Sequence, residues 1–129
     1  MPFVEIWVPA STAPASRHSI ADAVQAALQS TFEVPAGERL QLVTEYSPDS
    51  ILCDRRRFGI ERSQQPILIR ITAKEGRTDE QKTKLYKQIA QQIQEGTGLR
   101  IEDLVVVLAE NSSGDWSFAS GLATFIQKA

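Results

Sequence analysis

The 129-residue chain repeats itself at an interval of 64 positions, with Pro2, Glu38 and Leu40 returning as Pro66, Glu102 and Leu104. A fixed internal period marks a duplicated supersecondary unit, and it restricts the fold to arrangements that use one unit twice. In the first copy, residues 3–8 read as a strand because β-branched and aromatic residues dominate them without a breaker. Pro2 stands just ahead of that strand, where a missing N–H is tolerated. After a small-residue connection at 9–16, the spacing of Ile20, Val24, Ala27 and Leu28 predicts a helix over 17–32, with Ser16 or Ser19 as its cap. Val34-Pro35-Ala36-Gly37 stops that helix, and Leu40–Tyr46 is the second strand.

The second copy gives the same reading. Pro66 opens a strand over 67–72, and Thr78-Asp79-Glu80-Gln81 is a capping box, with the glutamine spaced to reach back to the cap. Leu85, Ile89 and Ile93 form the helical stripe with Tyr86 and Ala90 beside it, and Gly96 and Gly98 end the helix. Glu102-Asp103 leads into the apolar run 104–108, a strand of the kind buried on both faces. Between the copies, 47–65 reads as a connection, with a short strand around 51–53 and a solvated run of Arg55, Arg56 and Arg57.

The expected fold class is therefore α/β in two layers (α+β). Two tandem β-α-β units form one four-stranded mixed sheet with both helices on one face, each unit's strands being parallel through a right-handed crossover. One domain is expected, with units at 2–46 and 66–110 and a C-terminal segment at 111–129. Such a domain leaves its second sheet face open. Phe3, Trp7, Leu68 and the 104–108 strand are too apolar for a wet face, so a homo-oligomer is expected to cover it.

Bulk properties exclude several function classes. A net charge of −2 offers no electrostatic case for nucleic acid or an anionic membrane as partner. No apolar run approaches the roughly 20 residues of a spanning helix. Cys53 is the sole cysteine, so it forms no internal disulfide, and it has no Cys or His at metal spacing. A reducing, cytoplasmic setting is the simplest expectation. The lone His18 sits near a helix start and is expected to be exposed, with no catalytic part.

Pro2 is the one chemically unusual position. If Met1 is removed, the Pro2 nitrogen becomes a secondary amine held at the start of a strand. An α-amino group titrates near pH ~8, and burial beside apolar groups favours its neutral, basic form. Pro66, its counterpart in the second unit, is locked in an amide and has no basicity. A Met-Pro start is equally compatible with no chemistry at all, so the rest of the chain has to decide.

Three segments bear on that decision: Val34-Pro35-Ala36-Gly37-Glu38-Arg39, Gly76-Arg77-Thr78-Asp79-Glu80-Gln81-Lys82, and Glu110-Asn111-Ser112-Ser113-Gly114-Asp115-Trp116-Ser117-Phe118. With Pro2 at the amino end, the chain resembles the tautomerase superfamily over nearly its whole length. Within it, the similarity is to the malonate semialdehyde decarboxylase-like subgroup. The resemblance implies paired β-α-β units assembled into trimers or hexamers, with a homotrimer expected here, and a catalytic amino-terminal proline.

The same resemblance implies roles position by position. Glu38 stands where the subgroup carries an aspartate that positions or activates water, one methylene longer. Arg77 matches one of a close pair of substrate-binding arginines, and Lys74 replaces the other. That departure matters, because lysine lacks the planar fork that binds a carboxylate bidentately. Trp116, Phe118 and Phe125 match aromatic residues that wall the pocket, and Tyr46 stands where relatives often carry histidine. Duller readings remain open at each position. Glu38 is otherwise an exposed turn residue, Lys74 and Arg77 are solvated loop cations, and the aromatics belong to core or subunit interface.

The chemistry implied is proton transfer. A neutral Pro2 nitrogen removes a proton next to a carbonyl and returns it elsewhere, while Arg77, with Lys74 or Arg70 helping, holds the carboxylate of a small 2-oxo or enol acid. A cationic Pro2 would instead polarise a β-carbonyl for decarboxylation or hydration. Neither route requires a metal or organic cofactor. A non-catalytic oligomer is the third reading.

Overall fold

Residues 1–127 are described by a computed structural model; the Arg57 side chain and residues 128 and 129 lie outside that description. The order of elements is β1 (Phe3–Pro9), α1 (Pro14–Phe32), β2 (Leu40–Tyr46), β3 (Arg56–Arg57), β4 (Ile60–Glu61), β5 (Ile67–Lys74), α2 (Asp79–Thr97) and β6 (Leu104–Asn111). Three single 3₁₀ turns, Pro48–Ser50, Ile101–Asp103 and Ser113–Asp115, join them.

The main sheet runs β2-β1-β5-β6, mixed as the duplication requires. β1 is parallel to β2 and β5 to β6, while the central pair β1–β5 is antiparallel. Phe3 faces Leu40 and Ile67 faces Leu104, the same offset of 37 positions in both units. The alternation of each central strand decides which residues meet the helices. Val4, Ile6 and Val8 of β1 and Ile67, Ile69, Ile71 and Ala73 of β5 are buried beneath them. Ile20, Val24, Ala27 and Leu28 of α1 and Leu85, Ile89 and Ile93 of α2 close over these strands. Each buried Val, Leu or Ile side chain contributes about 1.5–3 kcal/mol, which makes this single layer of contacts the main support of the fold.

The capping box at Thr78 is formed in full: its hydroxyl accepts from Gln81 N, and the Gln81 side chain accepts from Thr78 N. Gly98 closes α2 in the left-handed conformation at φ 71°. Gly96 lies inside the helix, so it does not end α2 as its composition suggests.

Three local expectations are corrected. α1 begins at Pro14 and neither Ser16 nor Ser19 caps it; Ala13 is the cap residue and makes no side-chain bond. Proline at the first helical position presets φ and has no N–H to satisfy, so the helix starts without a polar cap. Residues 51–53 form no strand; the connection instead carries a small β3–β4 hairpin. Phe58 and Gly59 turn it with φ of 56° and 71°, a left-handed pair that suits a two-residue hairpin. Arg55 and Arg56 are exposed, as expected of a solvated run, and Arg57's side chain falls outside the described residues.

The third correction concerns β6. It is an edge strand, and Val107 remains 52% exposed. The helices cover one sheet face only, so in a single chain no layer covers the other. That second face presents Phe3, Trp7, Leu40, Leu42, Leu68 and Val107, with Arg70 bonded through Nε and Nη2 to Glu5 in its middle. Among the described residues no helix is long and apolar enough to cross a membrane.

Candidate active site

Strand direction gathers the sequence's chemically equipped residues at one end of the sheet. β1 and β2 start there, bringing Pro2 and Glu38. β5 and β6 finish there, bringing Lys74 and the chain that follows Asn111. They surround a pocket of about 200 Å³ lined by Met1, Pro2, Glu38, Lys74, Arg77, Trp116 and Phe125. Pro2 is buried and fixed by the start of β1, whereas Lys74 at the rim is exposed and Arg77 is half-buried.

The polar groups are arranged by sign. With Met1 in place, its ammonium lies 3.2 Å from Glu38 Oε2, so the carboxylate stands at the amino-terminal end of β1. On the other side, Gly76 adopts φ 123°, which a side chain would resist, and turns the chain from Lys74 to Arg77. Arg77 Nη1 donates to the Lys74 carbonyl at 2.9 Å, and its guanidinium carbon sits 5.0 Å from the Phe32 ring centre. Lys74 Nζ lies 4.7 Å from the Phe125 ring centre. Among the described residues neither Lys74 nor Arg77 is paired with a carboxylate. Two uncompensated cations beside a small pocket suit an anionic ligand.

The aromatic wall is built by the C-terminal segment. Ser112 and Asp115 cap a single 3₁₀ turn, in which the Asp115 carboxylate accepts from Ser112 N and Oγ. Those bonds to the charged form hold the Asp115 pKa below its ordinary value. The turn delivers Trp116, which stacks on Phe118 at 5.1 Å between ring centres; Phe125 meets Phe118 edge-on at 5.6 Å. Phe118 therefore backs the wall, while Trp116 and Phe125 line the pocket.

Two of the expected residues are elsewhere. Arg70 points to the open sheet face, where it pairs with Glu5 at 2.9 Å and lies 5.6 Å over Trp7. Tyr46 is at the far end of β2, where its hydroxyl donates to the Pro66 carbonyl at 2.6 Å. Burial raises its pKa, with the charges of Asp103 and Cys53 adding, so the phenol stays a neutral donor. Both border a larger, apolar hollow of about 400 Å³ with Trp7, Leu68 and Val107. That hollow is the larger of the two, but its charged group is already neutralised by Glu5, whereas the smaller pocket joins an acid, the buried proline and two cations that have no carboxylate partner among the described residues. His18 is exposed, away from either. Among the described residues no three His, Cys, Asp or Glu side chains converge to hold a metal ion.

Residues that the sequence alone leaves unremarked are Phe32, which supports Arg77, and Asn111, which accepts the Trp116 indole N–H at 2.7 Å. Asn111 falls in one of the segments that carry the family resemblance, but nothing in its spacing marks a bond to a residue five positions on.

Known proteins agree with this architecture. The family model for tautomerase enzymes matches residues 38–119. The probable tautomerase YusQ of Bacillus subtilis (strain 168) is 32% identical over 127 residues, covering 98% of this chain and all of its own. Among solved structures, the FG41 malonate semialdehyde decarboxylase inhibited by 3-bromopropiolate aligns with a TM-score of 0.88 at 29% identity, covering 96% of this chain and 94% of that one. A second malonate semialdehyde decarboxylase aligns at 0.87 and 30% identity, covering 96% and 95%. A fused 4-OT symmetric trimer shares the fold, with a TM-score of 0.78 at 20% identity over 98% and 99% of the two chains. Matched by the family model over most of its length and by a relative over nearly all of it, this chain belongs to the tautomerase superfamily, in its malonate semialdehyde decarboxylase-like part.

Proposed function

We propose that the chain is a tautomerase-type isomerase of small 2-oxo or enol carboxylic acids, with Pro2, freed by removal of Met1, as the general base. The observation that carries this reading is the buried Pro2 in a pocket that also holds Glu38, an aromatic wall, and two cations without carboxylate partners among the described residues. Arg77 and Lys74 hold the substrate carboxylate and set the reacting carbon against the Pro2 nitrogen. The nitrogen lone pair takes one substrate proton, and the resulting ammonium returns it at the other end of the enol system. Negative charge on the enolate oxygen is offset by the same cations. Trp116 and Phe125 keep water from the amine and favour its neutral form. The open, apolar sheet face fits assembly into a homotrimer, as in the fused 4-OT relative named a trimer.

The malonate semialdehyde decarboxylases that align over 96% of the chain support a second reading, a decarboxylase or hydratase-like lyase with Pro2 cationic. Lys74 replacing an arginine and Glu38 replacing an aspartate weigh against it. Turnover of phenylpyruvate enol and of malonate semialdehyde, by the native chain and by Pro2→Ala, separates the readings. The expected result is faster turnover of the enol, with Pro2→Ala lowering kcat/KM by about 10²-fold or more. Preference for the semialdehyde would establish the lyase. Unchanged turnover in Pro2→Ala would remove Pro2 from the mechanism.

A further inference from the structure

We infer that Asn111 is a positioning residue for this pocket, one that joins the aromatic wall to the cationic rim; the inference rests on the pocket being the substrate site. Asn111 is the last residue of β6 and lies in register with Lys74, the last of β5. Its two carbonyls act in different directions. The backbone carbonyl accepts from Glu75 N at 2.7 Å, fixing the first residue of the turn that leads through Gly76 to Arg77. The side-chain Oδ1 accepts from Trp116 Nε1 at 2.7 Å. One residue thus sets both the start of the cation-bearing turn and the rotation of the indole.

The chemical consequence lies in what Trp116 shows the pocket. Phe118 stacks on the indole, and Asn111 takes its only polar hydrogen, so carbon surface is what remains for the substrate side. An indole released from Asn111 has an unmet N–H, and the rotation that satisfies it with water admits water to the wall. A wetter wall weakens the cations' hold on a carboxylate, since the same charges attract less in a medium of higher dielectric. Asn111 acts through Trp116 and touches no substrate.

Two measurements test this. The first is hydrogen exchange of the Trp116 indole N–H by NMR, assigned with Trp116→Phe. Protection is expected in the native protein and in Asn111→Asp, which keeps an acceptor, and exchange at least about fivefold faster in Asn111→Leu, the factor that corresponds to the loss of a bond contributing ~1 kcal/mol. Asn111→Ala serves the same purpose if the leucine variant fails to fold. The second is a double-mutant cycle on KM. Asn111→Leu is expected to raise KM about five- to tenfold with kcat within about threefold, and to do nothing further when Trp116 is already Phe. Equal exchange in all variants, or a KM effect that persists undiminished beside Trp116→Phe, would overturn the inference. Exchange needs no turnover. It therefore decides the Asn111–Trp116 link even if Pro2→Ala shows the catalytic reading to be wrong.

Discussion

At the scale of single residues, the pocket sets opposite influences on one nitrogen. A carboxylate beside an amine favours the charged form, whereas burial and nearby cations favour the neutral one. Glu38 lines the same pocket as Pro2, and its Oε2 lies 3.2 Å from the Met1 ammonium one residue ahead. Glu38→Gln removes the attraction that keeps the proton on, so the Pro2 pKa falls. The acidic limb of the kcat/KM profile then moves to lower pH, by about one unit or less for a partly exposed carboxylate. A limb that stays in place would show that Glu38 does not act on Pro2. The sequence makes Pro2, Glu38, Lys74, Arg77, Trp116 and Phe125 legible as one group because a single end of the sheet collects them. Arg70 and Tyr46 are not separable from that group by sequence. Arg70's position depends on the β1–β5 register that sets it beside Glu5, and Tyr46's on β2 running parallel to β1, which carries it to the opposite end.

At the scale of elements, the start of α2 is readable and the start of α1 is not, although α1 ends at Phe32 as expected. Thr78 and Gln81 are spaced to satisfy each other's backbone N–H, so the start of α2 is written in the sequence. Thr78→Ala is expected to destabilise the fold by about 1 kcal/mol, seen as a lower denaturant midpoint with unchanged slope. An unchanged midpoint would mean that the box contributes nothing beyond solvent hydrogen bonds. α1 begins on Ala13 and Pro14 with no polar cap, so periodicity together with a search for a capping serine places its start three residues late. The β3–β4 hairpin is hidden for a related reason. Its turn uses Phe58 with positive φ, a residue that does not announce a left-handed conformation.

At the scale of the whole molecule, the duplication gives two open-faced units and therefore one broad uncovered face. Glu5 and Arg70 cancel each other in its centre, and the surrounding Leu40, Leu42, Leu68 and Val107 are expected to be what association covers. Val107, 52% exposed in the single chain, is a direct probe. Val107→Glu sets a second carboxylate beside Arg70, its cross-strand neighbour, whose charge Glu5 already balances, so the face gains a net charge, and sedimentation is expected to shift from oligomer to monomer. A native protein that already sediments as a monomer would contradict this use of the face.

The central claim is that this fold turns the proline at the start of β1 into a base. A pH titration of the Pro2 nitrogen by NMR, on protein carrying ¹⁵N-proline, tests it most directly. A titrating amine with a pKa at or below about 7 is expected. A nitrogen that does not titrate, because Met1 is retained, or one with a pKa near ~9, cationic at working pH, would contradict it.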